Sequence, residues 1–189
     1  MKRKLLIGAL FCICLSILAL AGGTLAYYTG ENRTHNVIAT GGIDIAVQEW
    51  ADEDKTKPFP AGGVDDVMPG TAVTKIVEVK NTGNNDAYVR VSVEKSIALQ
   101  GEGEPDLDLL TLDLNDDDWT DGGDRFYYYN KALAPGEVTK PLFTTVSFHA
   151  GMNNQYQNSK AAVDVAAYAV QVANNGDTPL EADGWPEAE

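Results

Sequence analysis

Alternating apolar and polar residues run along much of the chain and predict a series of β-strands. The clearest runs are 72–80, 87–94 and 142–149, in which apolar side chains recur at every second position. A period of two places these side chains on one face of a strand and the polar ones on the other. We therefore expect half-buried strands here. Residues 161–173 are apolar on both faces and predict a central strand.

Turn residues separate these runs and indicate how they connect. The segment 81–85, Asn-Thr-Gly-Asn-Asn, favours a tight connection because Asn and Gly tolerate positive φ. It predicts that 72–80 and 87–94 form an antiparallel hairpin. Residues 107–114 fit a strand or a short helix, and 151–159 leave room for one helical turn. Many short strands with turns between them predict an all-β fold, an antiparallel β-sandwich.

The N-terminus has the three parts of a secretory signal peptide. Lys2, Arg3 and Lys4 precede an apolar run that reaches Ala21, and small residues follow. A permanent membrane anchor is the alternative, but no basic stop signal follows the run. Cleavage fits after Ala21 and, more loosely, after Ala26, and local chemistry slightly favours Ala21.

Removing the signal leaves an acidic chain without cysteine. Cys12 and Cys14 both lie within the signal, and the remainder has 11 basic against 28 acidic residues, a formal charge of −17. This charge argues against binding nucleic acid through a basic patch. We expect one β-sandwich domain over 27–173, followed by an acidic flexible tail over 174–189.

Few residues have the spacing of a known chemical site. The two histidines, His35 and His149, form no zinc motif. Five acidic and amide side chains have most of the spacing of a calcium loop, although position six is Asp instead of Gly; they are Asp113, Asn115, Asp117, Asp121 and Asp124. A solvated acidic loop is the interpretation we favour, and calcium is the alternative. For Arg90 we expect a surface ion pair, or else a contact with a partner.

Several segments, taken in order, resemble the TasA/camelysin-type family of exported proteins. These are the signal end with Tyr27-Tyr28, the Gly-rich start of the first strand at 39–45, the Pro-Gly turn at 69–70 and the Asn-x-Gly motif at 81–83. The resemblance extends over most of 1–173. It implies cleavage between Ala26 and Tyr27 by a SipW-type signal peptidase, and a β-sandwich of jelly-roll or immunoglobulin-like type.

The resemblance also implies a function. Its best-known members are fibre subunits of the extracellular biofilm matrix, in which the freed N-terminal segment serves as a donor strand for the next subunit. On this chain that segment is 27–38, which contains Tyr27, Tyr28, Val37 and Ile38. We expect a secreted or cell-surface protein that associates with itself and is neither an enzyme nor bound to the membrane after cleavage. A monomeric calcium-dependent adhesin and a camelysin-like metalloprotease are the alternatives.

Overall fold

A computed structural model describes residues 37–39, 42–64 and 67–187 of the protein. The predicted signal peptide at 1–26, its cleavage site at Ala26 and Tyr27, and Tyr28 of the predicted donor strand lie outside the described residues. Within the described part, no helix is both long enough and apolar enough to cross a membrane.

In the described part of the chain, nine strands form the two sheets of a β-sandwich, which confirms the predicted fold class. The strands are β1 (Val37–Ala39), β2 (Ile45–Trp50), β3 (Ala72–Asn81), β4 (Ala87–Ala98), β5 (Leu110–Leu112), β6 (Trp119–Asp121), β7 (Phe126–Tyr129), β8 (Phe143–Phe148) and β9 (Lys160–Gln171). One sheet has the order β1-β9-β4-β7-β6 and the other β2-β3-β8-β5. All paired strands are antiparallel except β1, which runs parallel to β9.

The core lies between the sheets, and the alternation in sequence explains which residues enter it. Val77 and Val79 of β3 face Val89 and Val91 of β4, and all four side chains are fully buried. Larger side chains complete the same cluster, among them Trp119, Leu133, Leu142 and Phe143. Burial of this apolar surface is the main stabilising contribution in a chain whose predicted mature part has no disulfide.

The predicted hairpin between β3 and β4 is wrong, because the two strands belong to different sheets. The side chain of Asn81 explains the corner between them. It is fully buried, its amide donates to the carbonyls of Asn85 and Leu133, and its Oδ1 accepts from Gly83 N–H. These bonds fix the chain where it crosses from one sheet to the other, instead of letting it fold back beside β3.

Two shorter elements agree with their sequence patterns. Residues 107–114 contain both alternatives that the sequence leaves open, a 3-10 turn at Leu107–Leu109 followed directly by β5. The helical turn within 151–159 is a 3-10 turn at Asn154–Tyr156. Its N-cap Asn153 accepts a hydrogen bond from Gln155 N–H, as expected for an Asn cap.

The C-terminal segment, for which the sequence predicts a flexible tail, lies against the outer face of the five-stranded sheet. Tyr88 Oη donates to the Gly176 carbonyl, and Ala182 packs on Tyr88 and Val170. Trp185 meets the ring of Tyr128 edge-on at 5.6 Å. Residues 174–187 therefore cover apolar surface that a detached tail would leave in water.

Arg90 is buried beneath this segment, so the prediction of a surface ion pair is wrong. Its guanidinium lies 3.8 Å from the ring centre of Phe126 and 4.8 Å from that of Trp185. Nη2 donates to the Pro186 carbonyl at 2.8 Å. Aromatic faces attract a cation and offset its loss of water, which explains a charged side chain at this position.

Candidate functional site

Strand β9 pairs with a different strand on each side. On one side it pairs with β4 over its whole length, from Lys160 to Gln171. On the other side, within the described residues, it pairs in parallel with β1 over Ala167–Ala169. Among the described strands β1 is the outermost of this sheet. Because backbone N–H and C=O groups at a sheet edge can pair with a strand of another chain, the stretch of β9 on the β1 side is the candidate functional site.

Beside this stretch lies a buried lysine from the opposite sheet. Lys75 of β3 is 7% exposed, and its ammonium donates to the Val163 carbonyl at 2.9 Å. Nζ also lies 3.0 Å from Oε1 of Glu49 on β2 and 4.8 Å from the ring centre of Phe59. The side chain thus links β2, β3 and β9 where the two sheets meet at the edge of the sandwich.

A separate polar cleft of about 430 Å³ opens on the four-stranded sheet. Glu78 lies in its lining, is 3% exposed, and forms an ion pair with Lys55. Trp50 also lines the cleft, and its buried Nε1 has no hydrogen-bond partner within the described part of the chain. Lys55 neutralises the Glu78 carboxylate, and the exposed Lys140 is a second cation in the lining.

The residues of the predicted calcium loop lie before, within and after strand β6, and each makes hydrogen bonds within the protein. Asp113 accepts from Thr144 and Thr145 on β8. Asn115 donates to the Pro141 carbonyl, and the Asp117 carbonyl accepts from the Asn130 side chain.

The last two residues of that loop stabilise the turn between β6 and β7. Asp121 accepts from Gly123 N–H, and Asp124 accepts from Phe126 N–H and Tyr128 Oη. No three acidic, histidine or cysteine side chains gather into a metal-binding group among the described residues. Calcium binding stays the alternative to a solvated acidic loop, and a rise in melting temperature on adding calcium is the result that would support it.

Comparison with known proteins gives one match. A family model described as camelysin metallo-endopeptidase matches residues 1–109, more than half of the chain. The chain belongs to the camelysin family. This confirms the TasA/camelysin resemblance seen in the sequence. No curated protein and no solved structure gives a significant match. The matched segment of the camelysin model includes β1 to β4 and ends at the first 3-10 turn, so β9 lies beyond it.

The name of the camelysin family implies a metal, and the described residues do not fit one. Zinc sites in proteins use three or four His, Cys, Asp or Glu ligands. In the described part of the chain His149 is the only histidine, and its Nδ1 accepts a hydrogen bond from Gly151 N–H. Since the described residues hold no metal-binding group, no catalytic step is derived through a metal here.

Two residues of the predicted donor strand lie on a strand, their donor role stays a prediction, and the sequence analysis missed two residues beside β9. Val37 and Ile38, predicted to belong to the donor strand, are the first two residues of β1. Lys75 and Glu49 were missed, because an alternating strand pattern does not show which strand from the other sheet lies opposite. The one available signal was a lysine at a core-facing position between Val73 and Val77.

Proposed function

We propose that this camelysin-family protein is a secreted structural subunit of an extracellular matrix, and that it assembles by strand addition to β9. The observation that carries the proposal is the position of β1, which among the described strands lies at the edge of the five-stranded sheet and runs parallel to β9 over Ala167–Ala169. Family membership supports an exported protein of the matrix or camelysin type. In the free subunit β1 is supplied by the same chain. In the assembly a neighbouring chain would supply it.

The register of β1 shows which residues would meet. Val37 lies opposite Ala167, so a donor strand that continues this register toward its N-terminus places Thr34 opposite Asp164. Residues 30–36 would then lie along 160–166 of the neighbouring subunit. Main-chain hydrogen bonds to a free sheet edge give such strand addition its affinity. Head-to-tail contacts of this kind propagate into filaments when they do not close into a ring.

Crosslinking between two variants tests strand addition directly. The predicted mature chain has no cysteine, so Thr34→Cys and Asp164→Cys can be prepared as separate proteins, mixed and oxidised. We expect disulfide-linked heterodimers. Glu102→Cys, in an exposed loop, is the control partner for Thr34→Cys and should give few dimers. Deletion of 27–36 from the chain without cysteine substitutions should abolish fibres in electron micrographs. Unchanged fibres after this deletion would refute the proposal.

A camelysin-like endopeptidase is the second candidate, and the family match is what favours it. The distinguishing assay is casein cleavage by the purified mature protein, with and without added zinc. Cleavage that requires zinc would establish the enzyme. An inactive protein that still forms fibres would support the structural role.

A further inference from the structure

The C-terminal segment, residues 174–187, is fastened near its start by the amide side chain of Asn175. Nδ2 of this amide donates to the carbonyl of Gln171, the last residue of β9, and to the carbonyl of Asp183, both at 3.1 Å. Oδ1 accepts from Gly176 N–H at 2.9 Å and from Asp183 N–H at 2.8 Å. The side chain therefore acts as donor and acceptor at once, and it ties the end of β9 to the middle of the segment.

The next residue, Gly176, is required for a separate reason. A Cβ atom at this position would lie 2.5 Å from the Glu181 carbonyl oxygen and 2.9 Å from the Ala182 nitrogen. These are backbone atoms, which cannot move aside as the end of a flexible side chain would. Tyr88 Oη also donates to the Gly176 carbonyl and holds this residue against the sheet. Close packing thus requires the glycine and hydrogen bonding requires the asparagine, so the fold itself places an Asn-Gly pair here.

Asn-Gly is the pair in which an asparagine side chain reacts most readily with its own backbone. The backbone nitrogen of the glycine bonds to Cγ of the asparagine, the Cγ–Nδ2 bond breaks, and Nδ2 leaves as ammonia together with the N–H proton. Water then opens the resulting succinimide ring to aspartate or isoaspartate. Glycine permits the attack because it has no Cβ to shield the nitrogen. Of all the asparagines in the chain, only Asn175 is followed by glycine.

We propose that Asn175 is a site of spontaneous deamidation, and that this modification releases residues 177–187 from the five-stranded sheet. The carboxylate that replaces the amide has only acceptor oxygens. It cannot donate to the carbonyls of Gln171 and Asp183, and its negative charge is repelled by both carbonyl oxygens. The two bonds that fasten the segment to the end of β9 are therefore lost. The proposal does not rest on strand addition to β9.

Release would uncover the aromatic cluster on the outer face of the sheet. The Trp185 ring lies 4.8 Å from the Arg90 guanidinium, and the Pro186 carbonyl accepts from the same group. Without the segment, the guanidinium and the ring of Tyr128 would face water. A covalent change at one residue thus converts a covered face into an open one, as other local modifications do when they bias a docked segment.

Incubation of the complete mature chain at neutral pH tests the chemistry. Samples are digested at intervals, and peptide mass spectrometry locates each conversion of an amide to an acid. We expect Asn175 to react before any other asparagine of the chain. The site would be refuted if another asparagine reacted first, or if Asn175 kept its amide after a free peptide of residues 171–180 had reacted completely.

The variant Asn175→Asp tests the release without waiting for the reaction. Asn174→Asp is the matched control, because it adds the same charge one residue earlier, at an exposed side chain with no hydrogen bond recorded in the described part of the chain. Hydrogen exchange, followed by mass spectrometry of peptides from 177–187, reports how often the segment opens.

We expect exchange in 177–187 to be about tenfold faster in Asn175→Asp than in the wild-type chain, the factor that corresponds to losing two exposed hydrogen bonds. Asn174→Asp should exchange at the wild-type rate, and circular dichroism should show the same β content for all three chains. Equal exchange in the two variants would refute the release, whatever the mass spectra show at Asn175.

Discussion

The contact between Arg90 and Trp185 predicts that the C-terminal segment is energetically coupled to the five-stranded sheet. Arg90 is 8% exposed, and its guanidinium lies over three rings, those of Phe126, Trp185 and Tyr168, at 3.8, 4.8 and 5.5 Å. It also donates to the Pro186 carbonyl. The perturbation is a double-mutant cycle with Arg90→Met and Trp185→Ala.

The burial of Arg90 sets the expected magnitude. Cation–π contacts contribute about 0.5–1 kcal/mol at exposed sites and about 2 kcal/mol when desolvated. Since Arg90 is almost fully buried, we expect a coupling energy of about 1–2 kcal/mol between Arg90 and Trp185. Arg90→Met alone should cost about 3 kcal/mol, because it also removes a charged hydrogen bond.

Equilibrium unfolding in urea measures these free energies, with intrinsic fluorescence and circular dichroism as independent probes. The control cycle pairs Trp185→Ala with Val138→Ala, a substitution at an exposed residue outside the cluster. Its two effects should add to within about 0.5 kcal/mol. If the Arg90 cycle were also additive to that precision, the segment would not be held through Arg90, and the reasoning would fail.

Two further predictions concern the Asp113 carboxylate, which is hydrogen-bonded to β8, and the N-terminus of the exported protein. Burial opposes ionisation of Asp113, but hydrogen bonds from Thr144 and Thr145 outweigh it and lower its pKa below the ordinary 3.8. The contribution of the ionised Asp113 carboxylate to the free energy of unfolding is therefore complete above pH 3.8. It is lost as the pH falls through the lower pKa of the folded state. Asp113→Asn should lower the free energy of unfolding by about 1 kcal/mol at pH 7, a modest loss because solvent screens an exposed group. The difference from wild type should vanish in acid. Urea unfolding between pH 2 and 7 measures it. For secretion, mass spectrometry of the exported protein should find Tyr27 as the first residue, and Gly22 would contradict the family-based site.

Strand positions could be predicted from the sequence because alternation depends on neighbouring residues alone. The predicted run 142–149 differs from β8 by one residue at each end, and 72–80 from β3 by one residue. Pairing could not be predicted in the same way. A strand with one apolar face packs equally well in either sheet. Alternation in β3 and β4 therefore does not show whether the two strands pair in one sheet or lie in different sheets. The buried side chain of Asn81 decides it, through a bond to Leu133, 52 residues away.

The environment of Arg90 was missed for a related reason. The carbonyl that it binds is 96 residues away, in a segment whose acidic composition and prolines are typical of a mobile tail. Composition describes the average behaviour of a segment. Here individual side chains decide: Trp185 contacts Tyr128 and Arg90, and Ala182 packs on Tyr88 and Val170.

The same aromatic cluster explains why strand addition along β9 would start at one end. Tyr168 lies opposite Ile38 in the β1 pairing, and its ring packs edge-on against Phe126 at 5.4 Å. The stretch of β9 that carries β1 is thus buried on both faces, whereas residues 160–162 are exposed. A rigid, desolvated edge loses less conformational entropy when a strand docks on it than a solvated one. An added strand that takes the place of β1 should therefore pair first at Ala167–Ala169 and extend toward Lys160.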